Sequence, residues 1–178
     1  LVSDQLSDGR VIFRVLGAED KSDYSLQYKG NVKIAAFDAS DNIIWSWHIW
    51  ITDKPLNQGY QNGYVALDRN LGAVTKDYTS YQQGMSPWSG MYYQWGRKDP
   101  IFRATVEGNN LWNPDQADVV STPATMTEVT RNPVTYYYDG KGGNSWLSSS
   151  DPGYANFDHF WGYISVRDDI VKTIYDPC

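Results

Sequence analysis

The chain is 178 residues long, a length that fits one domain, and it is acidic, with a formal net charge of −6 and a pI near 4.7. That balance, with 15 basic residues scattered and nowhere in a run, argues against nucleic-acid phosphate as a partner. Hydrophobic residues make up 41% and aromatics 15%, and 14 tyrosines and 8 tryptophans carry the aromatic excess; such amphipathic rings suit half-exposed surfaces and binding faces.

A chain of this size can bury a core without metal or disulfide staples. Its single cysteine, Cys178, cannot form an internal disulfide. No segment has the length of a membrane span, and "LVSDQLSDGRV" has neither the basic start nor the apolar stretch of a signal peptide. A terminal Asp-Pro-Cys is an odd place for a natural protein to stop and reads as a truncation.

Taken in order, "GRVIFRVLG" and "GNVKIAAFD" are β-branched and aromatic runs closed by Gly and Asp, the pattern of strands. "DASDN" then punctuates the chain before "IIWSWHIWI", so Asn31 to Thr52 predicts a hairpin. In its second strand Trp45, Trp47 and Ile49 share one face, and Ile44, Ser46, His48 and Trp50 the other. Both faces are largely apolar, which predicts a strand buried on both sides with Trp45, Trp47 and Trp50 in the core. A polar, Gly-rich loop from Lys54 precedes the short strand "YVALD". Ser86-Pro87 opens the best helix candidate, which stops at Gly96. The remainder alternates loops with the strand-like runs "PVTYYYD", "FWGYISV" and "VKTIYD", without repeat, heptad or long amphipathic helix.

Catalytic signals are sparse. His48 and His159 are the only histidines. His48, among tryptophans, reads as a buried, hydrogen-bonded imidazole. Asp158 beside His159 could orient a base, but no nucleophile context accompanies the pair. No HExxH, CxxC or Cys–His grouping points to a metal, and "DASDN" reads as a turn, since it lacks the central Gly and closing Glu of a calcium loop. No cofactor is expected. Asp53, Asp68, Asp99 and Asp139 could in principle supply a glycosidase pair. In "LDRN" and "GRKDP" the preferred reading is ion pairing that ties loops to the sheet, with Arg69 and Arg97 held by carboxylates. Trp88, Trp112 and Trp146 lie among Gly, Ser, Asn and Pro, so they are the candidate ligand-binding residues: an indole on a loop can stack on a sugar ring. The competing reading, that each pins its own loop to the domain, carries more weight for any one of them.

The blocks "GNVKIAAFDASDNIIWSWHIWITD", "ALDRNLGA", "YYQWGRKDP", "RNPVTYYY" and "KTIYDPC", in that order, resemble surface proteins of Bacteroidales of the fimbrillin or cell-adhesion type. They are also similar to the Fibrobacter succinogenes major paralogous domain. The resemblance covers roughly Gly30 to Cys178 and is most specific in "WSWHIW", "DRNLGA" and "YQWGRKDP". It implies a secreted, extracellular module on the bacterial surface, in the outer membrane or a fimbria, and carries no catalytic residues with it. In those proteins "YDPC" is usually continued by a Pro-Gly-Trp-type segment that opens a C-type-lectin-like core, whereas this chain ends at the cysteine.

The expected fold over residues 1–178 is a single mainly β (β-rich α+β) domain. It would have antiparallel sheets, one short helix and long irregular loops, in a sandwich-like or C-type-lectin-like arrangement. The expected function is non-enzymatic adhesion or binding, with a glycan or a fimbrial or surface protein subunit as partner. The alternatives are a secreted carbohydrate-active enzyme using a carboxylate pair and a purely structural pilus subunit.

Overall fold

A computed structural model describes residues 2–3, 11–14, 29–77, 87–101, 118–140, 145–165 and 169–177. The fold is mainly β, with short helices. Its strands are β1 (Val2–Ser3), β2 (Phe13–Arg14), β3 (Gly30–Phe37), β4 (Ile43–Ile51), β5 (Asn57–Gly59), β6 (Val65–Leu67), β7 (Val119–Val120), β8 (Tyr136–Tyr137), β9 (Gly162–Ile164) and β10 (Ile170–Lys172). Helix α1 spans Met126–Arg131, and a 3₁₀ helix spans Tyr154–His159. Among the described residues every sheet is a two-stranded ladder: β1–β2, β3–β4, β5–β6 and β9–β10 are antiparallel, and β7–β8 is parallel.

The β3–β4 hairpin is the longest element, as the two apolar runs predict. Its turn is built by Asp38, whose Oδ1 accepts the backbone N–H groups of Ser40 and Asn42 at 2.8 and 2.9 Å, while Asp41 takes φ 60°. The carboxylate of "DASDN" is therefore spent on the turn, and these hydrogen bonds hold its pKa below the usual range.

The hydrophobic core lies elsewhere. Ala124, Val129, Tyr137, Trp146, Leu147 and Phe160 form the buried cluster, with Val120, Met126 and Phe157 packed against it. Trp45, Trp47 and Trp50 are only half-buried; the fully buried side chain in their strand is Ser46, at 1% exposure. The reason is architectural. Among the described residues β4 has a single partner strand, and the face it shares with Ser46 and His48 meets a polar layer, so neither face is closed over by an apolar core. Two of the three indoles are held by their polar surroundings: Trp50 Nε1 donates to Ala73 O at 3.0 Å, and the Lys98 ammonium stands 4.4 Å above the Trp45 ring.

The helix also forms away from its expected place. Ser86 lies outside the described residues, and Pro87–Ser89 turn. Tyr92 then bridges Ile101, and Gln94–Arg97 turn again, with Gly90 and Gly96 at φ 72° and 81°. Positive φ at Gly90, in the middle of the segment, is incompatible with a helix running through to Gly96. At α1 the sequence "TMTE" supplies a capping box: Thr125 accepts from Glu128 N, and Glu128 Oε2 accepts from Thr125 N at 2.6 Å. Asp151 Oδ2 takes a further free N–H, that of Met126, at 2.8 Å. A helix of six residues cannot stand alone. It is held by burial of Val129 and by lying against β4.

Candidate functional site

Side chains with chemical capacity gather beneath the long hairpin and beside β9–β10. Residues opposed in the β3–β4 register share a face, so Asn31, Lys33, Ser46, His48 and Trp50 point the same way. They meet the segment from Tyr93 to Pro100. Ser46 Oγ donates to Asp99 Oδ1 at 2.8 Å and accepts from Lys98 Nζ at 2.7 Å, and Lys98 also reaches Asp99 Oδ2 at 2.6 Å. Lys33 Nζ donates to the carbonyls of Pro100 and Pro133, each at 2.8 Å.

The Asn31 amide donates to Gly72 O, so its oxygen faces His48 Nε2 as an acceptor at 2.8 Å. That places the imidazole proton on Nε2 and leaves Nδ1 to accept from the Tyr93 hydroxyl at 3.1 Å. This is the hydrogen-bonded, structural histidine expected from its neighbours. Burial is the leading influence on the cations of the layer: it draws Lys33 down to about 8 and Arg97 down to about 10, and lowers Lys98 and His48.

The two arginines divide. Arg69 is gripped by Asp68 through Nε at 2.8 Å and Nη2 at 3.2 Å, with Asp53 Oδ2 at 3.3 Å from Nη1, as "LDRN" suggested. Among the described residues Arg97 is not paired to a carboxylate. Its Nη1 donates to Gln94 Oε1 and Thr135 O at 2.7 Å, and Nη2 to Pro133 O at 3.4 Å. The neighbouring Asp99 is taken by Lys98 and Ser46, which leaves carbonyl dipoles to solvate the guanidinium. The tie between "GRKDP" and the sheet therefore runs through Lys98 and Asp99.

Ser46, Lys98 and Asp99 have the composition of an activated-hydroxyl constellation. Ser46 is sealed, however, and the adjoining void, bordered by Lys98, Asp99 and Trp146, measures about 10 Å³. That is close to the minimum for one water. The layer is structural, and it gives stability a pH dependence. His48 has a folded-state pKa lowered from 6.5 by burial and then by the Lys33 charge, so the unfolded chain takes up a proton that the folded chain resists. Its contribution is complete above about pH 6.5 and is lost as pH falls. Lys33 has the same sign at higher pH: its penalty is relieved as pH rises from about 8 to 10.5. The thermal midpoint should fall between about pH 7 and 5, before most carboxylates titrate, and His48→Gln should flatten that limb. Melting curves with identical pH profiles for the two proteins would contradict this assignment.

The second gathering is a solvent-open cleft of about 380 Å³ lined by Asn156, His159, Phe160, Tyr163, Thr173 and Tyr175. Its floor is anchored. Phe160 packs into the core against Phe157 at 5.7 Å and Trp146 at 6.3 Å between ring centroids, and its outer side meets Tyr175 at 5.6 Å. Thr173 Oγ1 donates to the Phe160 carbonyl, fastening the strand that ends β10 to the end of the 3₁₀ helix. At Gly162 a Cβ would stand 2.8 Å from Val171 O, so glycine is what lets β9 close onto β10 there. The rim carries His159 and Tyr163, with centroids 5.8 Å apart and planes inclined at 37°. Among the described residues the Asn156 amide, the His159 ring nitrogens and the Tyr163 and Tyr175 hydroxyls have no hydrogen-bond partner; His159 makes no ion pair with Asp158.

Of the residues expected from sequence to bind ligand, Trp88 and Trp146 are among the described ones, and neither lines the cleft. Trp146 is 1% exposed in the core, with its Nε1 donating to Trp95 O at 2.5 Å, so it offers no free face for stacking. Its loop is pinned by it, because burying so large a ring stabilises the fold more than exposing it would. Trp88 is half-buried, and its indole N–H is enclosed without a partner. Trp112 lies outside the described residues. The sequence signal for the cleft is "YANFDHFWGY", which packs five aromatic residues and a histidine into ten positions. Neither cavity brings two carboxylates together: Asp99 borders the small void, and no acid lines the cleft. No helix among the described residues is long and apolar enough to cross a membrane. Compared with protein-family models, with curated proteins and with solved structures, the chain finds no match.

Proposed function

We propose that the chain is a binding module that recognises a glycan, and that the aromatic cleft between the 3₁₀ helix and β9–β10 is its recognition surface. The observation that carries this reading is the cleft itself. It has an apolar, rigidly backed floor and a rim of hydrogen-bonding groups not used by the protein, the combination that holds an amphipathic small ligand. Its volume lies at the lower end of the range of ~300–1,000 Å³ usual for such sites. The same features fit the extracellular surface or fimbrial setting implied by the resemblance to Bacteroidales adhesion proteins. We read the module as non-enzymatic because three of the four acids that could have formed a glycosidase pair are committed elsewhere: Asp53 and Asp68 to Arg69, and Asp99 to Lys98 and Ser46.

Tyr163→Ala is the test. Tyr163 is 44% exposed on a two-stranded ladder, so its ring contributes little to packing. Removing a stacked ring takes away apolar area together with a contact worth ~0.5–1.5 kcal/mol, so binding should weaken about tenfold. The thermal midpoint should stay nearly unchanged. A glycan array probed with both proteins should show the loss; identical profiles would remove the cleft from consideration. Release of reducing sugar from a polysaccharide, abolished by Asp→Asn at Asp53, Asp68, Asp99 or Asp139, would favour the carbohydrate-active enzyme instead.

A further inference from the structure

We infer that the ligand of this cleft is an uncharged sugar, one or two rings in extent, and that uronic or sialic acids are excluded; the inference rests on the glycan-binding reading above. The six lining residues include no lysine, arginine, aspartate or glutamate. An acidic sugar would have to give up water around its carboxylate with no lysine or arginine in the lining to receive it, a costly exchange. The nearby Lys172 is held by Asp176 at 3.3 Å.

The groups with unspent hydrogen-bonding capacity match hydroxyls. The Asn156 amide supplies both donor and acceptor, the Tyr163 and Tyr175 hydroxyls supply both, and the His159 ring nitrogens add further hydrogen-bonding capacity. A sugar hydroxyl likewise donates and accepts, so it can satisfy any of these groups without a charge. The exposed Tyr163 ring and the half-buried Tyr175 ring, the latter backed by Phe160, take the C–H face of the sugar. The cleft's size sets the upper limit of one or two rings.

Isothermal titration of the full chain with neutral, carboxylated and amino forms of the same disaccharides, at low and high salt, tests this directly. Arrays would first identify a neutral binder. Its affinity should change less than about threefold with salt, because no formal charge is engaged. The carboxylated form should bind at least about tenfold more weakly, and the amino form no more tightly than the neutral one. Tighter, salt-sensitive binding of the carboxylated or amino form, lost in Tyr163→Ala, would overturn the inference and leave the glycan reading standing. Failure of sugars of every charge class to bind would bring down both.

Discussion

Asp99→Ala should destabilise the protein by ~3–5 kcal/mol, enough to unfold many domains of this size. Asp99 is 4% exposed and compensates the Lys98 ammonium at 2.6 Å while accepting from Ser46 at 2.8 Å. Removing it leaves a largely covered cation with only the Ser46 hydroxyl and carbonyl as partners. An uncompensated buried charge costs far more than the pair contributes when intact. Replacing both members, Lys98→Met with Asp99→Leu, should therefore recover much of the loss, because no stranded charge remains. Urea denaturation of the two variants measures both effects. A single variant within about 1 kcal/mol of the parent would show that the layer beneath the hairpin is not the interior polar network it is taken to be.

Trp146→Ala should cost a similar ~3–5 kcal/mol, and appreciably more than Trp47→Ala. Trp146 is the largest fully buried side chain and sits against Phe157 and Phe160, with Arg97 and Tyr137 nearby. Its removal opens a cavity in the cluster that α1, β8 and the 3₁₀ helix share, and also strands the Trp95 carbonyl that its indole caps. Trp47 is half-buried, so part of its ring already contacts water and less transfer free energy is lost. The reverse order of stabilities would return the core to the hairpin.

The hairpin was legible because strand runs and an Asp-rich turn are local signals, and so was the Arg69–Asp68 pair, whose members are adjacent. The position of the core was not. "IIWSWHIWI" looks doubly apolar in sequence, but Lys33, Lys98 and Asp99 reach its even-numbered face from other segments, and nothing local announces them. Ser86-Pro87 is the weaker start signal: the capping box at Thr125 and Glu128 satisfies two backbone donors where Ser-Pro would satisfy one. The cleft was missed for a different reason. Tryptophans among turn formers draw attention as candidate stacking rings, whereas Trp146 is internal, and the rings of the cleft belong to a strand and a 3₁₀ helix that individually read as ordinary structure.

The central claim, that the cleft is where ligand binds, is best tested through the imidazole resonances. The chain has two histidines, one on the cleft rim and one locked beneath the hairpin, so each reports on a different place. During titration with a neutral disaccharide selected on the array, the His159 signals should shift progressively and saturate with the binding isotherm. The His48 signals should hold still. Saturable binding that leaves His159 unmoved, or that moves His48 instead, would place the recognition surface elsewhere and contradict the account.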